Sequence, residues 1–307
     1  MMFEDPVDFI MRPTRTAIPS YTPNPTSFPT VIPDPPIFEH IGKAGTRASW
    51  VVFVLMVIAA IAFTVLARTV PASKRVYHSL TTLIVVISAL TYFAQATGQG
   101  HASHHKRLTE HHGDKLPDTH RHLVRQVYYT RFIDWALTTP LLLINLSLLA
   151  GLPGSTIFSA LSANVIFVLS GLFAAFSHRK IQVWGWFTIS ILAFLWIAYT
   201  LIVPGRTAAK AKGANVSRFY NLVGLAAIVV GAVYPIIWGI VDGSRILSVN
   251  GEIIAYAVLD VLSKGVFGGL LLTTYKRVPE IGAELNGFWA SGTNAEGRIR
   301  IGDDDGA

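Results

Sequence analysis

Apolar residues gather in seven blocks of about 20 residues, each bounded by polar or helix-breaking positions. Read by length and breakers, the blocks fall at 49–68, 77–97, 128–150, 157–177, 182–203, 219–240 and 251–274. A helix rising 1.5 Å per residue needs ~20 residues to cross a hydrocarbon core of about 30 Å. None of the blocks alternates strictly, so each predicts a helix rather than a barrel strand. The expected fold is an all-α membrane protein, a seven-transmembrane-helix bundle. Short connections at Val70–Lys74, Gly151–Ser155 and Arg179–Ile181 leave room only for antiparallel neighbours.

Three stretches break the pattern. Residues 1–48 hold nine of the sixteen prolines. Proline fixes φ and removes a donor, so this stretch reads as an extended tail, neither regular helix nor central strand. The segment from about Gly98 to Arg125 carries seven of the ten histidines: His101, His104, His105, His111, His112, His120 and His122. Apart from His101 with His104 or His105, their spacing fits no helical ligand pair, so a solvated polar loop is expected over a metal site, and no metal is assigned. Beyond Lys276 the chain turns polar and ends in Asp303, Asp304 and Asp305. The domain reading is a Pro-rich extracellular tail (1–48), a seven-helix unit (49–275) and a polar cytoplasmic tail (276–307).

Composition narrows the classes. Charged residues make up 14% of the 307, against about 25% in soluble domains, and the mean hydropathy is +0.47. Cysteine is absent, which excludes disulfides, thiolate metal sites and a cysteine nucleophile. The net charge of +7 is spread out, so nucleic acid is not an expected partner; the lipid bilayer is. Positive charge distributes almost evenly between the two sides, but the basic loop 204–218 favours the cytoplasm. That orientation places the N-terminus outside, in the plasma membrane or another cellular membrane.

The informative residues are charges inside the apolar blocks. The third block contains Arg131, Asp134 and Thr138 at i, i+3 and i+7, one helical face. The seventh contains Asp260 and Lys264 at i, i+4. Each such charge costs about 2.5–3.5 kcal/mol at a helix centre, so they must pair or face water. Two readings stay open on spacing alone. In one, the two faces meet as a neutral ion-pair cluster that fixes helix packing. In the other, Lys264 is a reactive amine that forms a Schiff base with a carbonyl ligand, and the carboxylates serve it as counterion and proton acceptor. Aromatics on several blocks (Tyr92, Trp135, Trp186, Tyr234, Trp238), with Pro140 and Pro235 to open the helices locally, suit a pocket for a long apolar ligand.

The motifs RQVYYTRFIDWALTTPLLL (125–143), SGLFAAF (170–176), YPIIWG (234–239) and GEIIAYAVLDVLSKGVFG (251–268) resemble those of the microbial rhodopsins. The similarity is strongest to the fungal branch and to bacteriorhodopsin-like proton pumps, and it covers about 45–290. It implies all-trans retinal in the bundle core, bound covalently to Lys264. It also implies Asp134 as proton acceptor and counterion, Asp260 as second counterion, and Arg131 below them. Tyr92, Trp135, Thr138, Tyr234 and Trp238 would be pocket residues. Glu252 would belong to a proton-release group, with Asp242 near its partner's place. The chain departs from the family at three positions. Asn145 stands where pumps carry a carboxylic proton donor. Asn164 stands where many carry Asp. Gly231 stands where a Trp usually packs over the retinal. The resemblance therefore implies a light-driven outward proton pump with slow reprotonation, not an enzyme. A slow-cycling photosensor is the alternative, and assembly into a homo-oligomer is left open.

Overall fold

Hydrocarbon offers no partner to a backbone N–H or C=O, so an apolar span must close its own hydrogen bonds. In a computed structural model, which describes residues 35–110 and 119–275, seven apolar segments do so as helices. They are α1 (Lys43–Arg68), α2 (Val76–Ala96), α3 (Thr130–Ala150), α4 (Gly154–Ala175), α5 (Lys180–Lys212), α6 (Ala214–Gly243) and α7 (Val249–Tyr275). Each packs on its sequence neighbour, α7 returns to α1, and α3 crosses to α6, closing a ring around an interior. Val51, Leu55, Ile58 and Val65 of α1 are exposed, as suits a lipid-facing side. The protein is a multi-pass integral membrane protein. Residues 1–34 of the expected N-terminal tail and the whole expected C-terminal tail (276–307), with Asp303–Asp305, lie outside the described residues, as do His111 and His112.

Two expected loops are regular structure instead. The basic stretch 204–218 is helical on both sides of Gly213, whose φ of 132° makes the turn. Pro204 occupies the first position of its last helical stretch, where its missing N–H costs nothing, and Ala, Lys and Arg then favour the helix. The histidine-rich loop is a hairpin of β2 (Ala102–Glu110) and β3 (Thr119–Val127). β1 (Ile37–Glu39) joins it in parallel, so β3 is central, and Glu39 aligns with Arg125. The helix also begins at Lys43 rather than 49, inside the stretch read as extended, because the last proline is Pro36. This three-stranded sheet caps one end of the bundle.

Both prolines sit inside continuous helices, Pro140 in α3 and Pro235 in α6. Two wider, π-type turns interrupt the α geometry, at Gly239–Gly243 and at Val261–Val266. The second contains Lys264, and such turns recur at functional sites. One turn further, α7 comes very close to α1 and α2 at Gly268. A Cβ there would lie 2.7 Å from Thr81 Cγ2 and 3.0 Å from Phe63 Cε2. Gly268→Ala is expected to cost about 1–3 kcal/mol through overpacking, read as a lower melting temperature in detergent. Gly185→Ala, where a Cβ meets nothing within 4 Å, is the control.

Candidate functional site

The sequence puts Asp260 and Lys264 one turn apart on α7, and the fold turns that face toward Asp134 of α3. Lys264 Nζ contacts Asp134 Oδ2 and lies 2.9 Å from Asp260 Oδ1. All three residues are buried. Each carboxylate is held from a second side. Ser88 Oγ donates to Asp134 Oδ1 at 2.7 Å, and Thr91 Oγ1 lies 3.4 Å from the same oxygen. Tyr92 and Tyr234 donate to the two oxygens of Asp260 at 2.7 and 2.6 Å. Tyr234 also shares a hydrogen bond with Ser263 at 2.7 Å. One buried cation between two anchored carboxylates is an arrangement in which proton position depends on small changes at the nitrogen.

Arg131 does not join this cluster, although the ion-pair reading of the spacing would require it. Its guanidinium points toward the sheet end, where Nη1 lies 2.7 Å from Glu252 Oε1. Helical side chains lean toward the helix N-terminus, and Arg131 stands in the first turn of α3. Its charge also sits 4.0 Å over the Tyr256 ring. A second arginine, Arg125 of β3, holds the other oxygen of Glu252 at 2.7 Å and Glu39 of β1 at 2.9 Å. Arg125 donates to the Leu247 carbonyl as well. Between the two groups lies a small polar cavity lined by Thr91, Tyr92, Gln95, Arg131, Asp134 and Asp260.

Tyr128 flanks the outer group. Burial, reinforced by the charge of Glu252, pushes its hydroxyl up to about 12, so it stays protonated at neutral pH. Burial opposes the Arg125 cation, but Glu252, Asp242 and Glu39 together outweigh it and raise its pKa. Asp242, at the end of α6, is near both arginines and Glu252, and its Oδ2 has no hydrogen-bond partner among the described residues. Arg125→Met would break a buried pair and is expected to cost about 3–5 kcal/mol. Glu39 is one-third exposed, so Glu39→Gln should cost about 1 kcal/mol or less. Paired melting curves check this ranking.

On the far side of Lys264 the interior is apolar. A cavity of about 940 Å³, its open mouth included, runs from Lys264 and Ser263 past Trp135, Thr138, Tyr234 and Gly231 to Leu146 and Leu201. Trp135 and Tyr234 meet edge to face at 5.3 Å and form its wall. Trp238 lines a smaller neighbouring cavity with Trp135 and Tyr234 and stacks on Phe187 at 4.8 Å. Thr138 donates to the Asp134 carbonyl at 2.8 Å, closing its polarity within α3. Tyr92 does not line this apolar cavity; it acts on Asp260. Trp186 is misplaced by the sequence reading. It is 38% exposed and packs on Phe173 at 5.2 Å, on the outer surface. Toward the end opposite the sheet, Asn145 is fully buried and donates to Thr81 Oγ1 at 3.2 Å. Its Oδ1, and both side-chain polar atoms of buried Asn164, lack a hydrogen-bond partner among the described residues.

The sequence reading missed Ser88, Thr91, Ser263 and Arg125. A signal for the first two existed. Ser88, Thr91, Tyr92 and Gln95 recur at i, i+3, i+4 and i+7 in an otherwise apolar block, a polar stripe on one helical face. His104 is buried and stacks on His178 at 4.7 Å, while no group of three metal-ligating side chains occurs among the described residues.

Residues 44–278 match the family model described as bacteriorhodopsin-like protein. The chain is 42% identical to Opsin-1 of Neurospora crassa, over 99% of this chain and 100% of that one. Its fold superposes on the light-driven proton pump LR (Mac) of Leptosphaeria maculans with a TM-score of 0.78. That pair is 48% identical, over 80% of this chain and 100% of the other. The light-driven proton pump CsR of Coccomyxa subellipsoidea gives 0.70 at 34% identity, over 77% and 99%. The chain therefore belongs to the bacteriorhodopsin-like family, the microbial rhodopsins, and resembles its fungal members.

Proposed function

We propose that the protein is a retinal-binding, light-driven outward proton pump. Members of this family are retinal proteins. The observation that carries the reading is one buried amine, Lys264, set between two anchored carboxylates at the end of an apolar cavity. The donor set fits the cofactor. Lys264 offers the amine that an aldehyde requires, and the cavity offers room for a long apolar chain. Lys264 would hold all-trans retinal covalently, with Trp135, Thr138, Tyr234 and Gly231 around it. When bound, retinal supplies light absorption and a change in proton affinity at the nitrogen it shares with Lys264.

The chain's own residues do the rest. Asp134 Oδ2, in contact with Lys264 Nζ, accepts the proton. Asp260, held by Tyr92 and Tyr234, keeps a negative charge beside the nitrogen. Arg131 and Glu252 continue the polar path toward the sheet end through the small cavity beside Asp134. The opposite end, with Lys74, Arg75, Arg206, Lys210 and Lys212 near the helix turns, is assigned to the cytoplasm, and the N-terminus to the outside of the plasma membrane. The neighbours named as light-driven proton pumps support proton transport as the work done.

Recharging is the slow step. The cytoplasmic side of the site offers Asn145 and Thr81, and an amide releases no proton. Protons must come from bulk water, so recovery of the dark absorbance after a flash should slow about tenfold per pH unit. Azide should speed it. Asn145→Asp should accelerate recovery and flatten its pH dependence, with pump current rising. Fast, pH-independent recovery in the unmutated protein would overturn this step. Asn145 also favours a second reading, a slow-cycling photosensor. Light that alters absorbance for long periods without moving protons across the membrane would select it.

A further inference from the structure

Glycine is a poor helix former, yet Gly231 stands mid-helix in α6 with one face on the apolar cavity. A Cβ built there would meet only the ring of Phe194, at 3.4 Å from Cε2 and 3.9 Å from Cζ. Pro235, one turn on, has no N–H to bond the Gly231 carbonyl. At Gly231 α6 therefore presents bare backbone, and the ring that stands in front of it belongs to α5. Phe194 lines the same cavity and leans on Phe167 of α4 at 5.9 Å.

We infer that Phe194 is a specificity-determining residue of the cavity: its ring supplies, from α5, the wall that α6 lacks at Gly231, and so sets the width open to the ligand chain. The inference rests on the retinal reading. A flat ring backed by bare backbone leaves a slot of fixed width, and a chain with an added branch collides with it. Removing the ring leaves nothing larger than a methyl facing Gly231 at this point of the wall, so the slot widens there. A larger residue at 231 grows into the place of the ring and closes it again.

The test is competitive uptake by retinal-free protein of all-trans retinal against an analogue in which one chain methyl is replaced by ethyl. The native protein should prefer retinal by about tenfold or more, the discrimination one methylene allows. Phe194→Ala should erase that preference, and Phe194→Leu should reduce it part-way if the alanine variant does not fold. Adding Gly231→Leu to Phe194→Ala should restore it. Gly231→Leu alone should slow uptake of both compounds and lower the melting temperature of the retinal-free protein. Unchanged preference in Phe194→Ala or Phe194→Leu, or simple additivity of the two changes in melting temperature, would overturn the inference. Failure of the native protein to take up retinal would instead strike the retinal reading itself.

Discussion

Lys264→Ala, given retinal, should yield a folded but colourless protein. The amine is the nucleophile that the reading requires, and no other lysine of the described residues lies on the apolar cavity. The substitution removes the whole visible band rather than shifting it. It also leaves Asp134 and Asp260 buried without their shared cation, so the melting temperature should fall, since an unpaired buried charge costs about 3–5 kcal/mol. Lys264→Ala combined with Asp134→Asn removes one of those carboxylates and should recover part of the stability while staying colourless. A visible band in Lys264→Ala, distinct from free retinal, would refute the attachment.

Asp134→Asn should reduce light-driven transport about a hundredfold or more, the range expected when a positioned proton acceptor is lost. An amide keeps an oxygen for the Ser88 hydroxyl but turns its NH₂ toward the Lys264 nitrogen, donor against donor. Asp260 remains 2.9 Å from Nζ, so retinal should still bind, with a shifted absorption. That contrast separates the two variants: one loses colour, the other keeps colour and loses transport. Normal transport in Asp134→Asn would mean that another group takes the proton.

Much of the architecture was legible because a bilayer constrains sequence so strongly. Seven apolar blocks could only be helices, and a charge inside one had to find a partner. The i, i+4 spacing of Asp260 and Lys264 translated directly into a 2.9 Å contact. The i, i+3 spacing of Arg131 and Asp134 did not. Sharing a face is not sharing a partner, and a long side chain in the first turn of α3 leans away from its neighbour's target. Trp186 went astray for another reason. α5 is apolar on nearly every side, so its sequence carries no sign of which face looks inward. The same silence hid Phe194.

The sheet was missed although its pattern is present. Along β3, Leu123, Arg125 and Val127 are buried, while His122 is exposed and Val124 and Gln126 are half-buried between them. This is the period-2 alternation of a strand. Arg125 disguised it, because an arginine at an inward position reads as surface until Glu39 and Glu252 are seen on either side. Those partners lie 86 and 127 residues away, beyond any local pattern.

The central claim is net outward movement of protons driven by light. Cells expressing the protein with retinal, suspended in weak buffer and illuminated, test it most directly. The account predicts acidification of the medium that reverses in the dark, is abolished by a protonophore and is absent from Lys264→Ala cells. No pH change, or alkalinisation of the medium by uptake that a protonophore enhances, would contradict it.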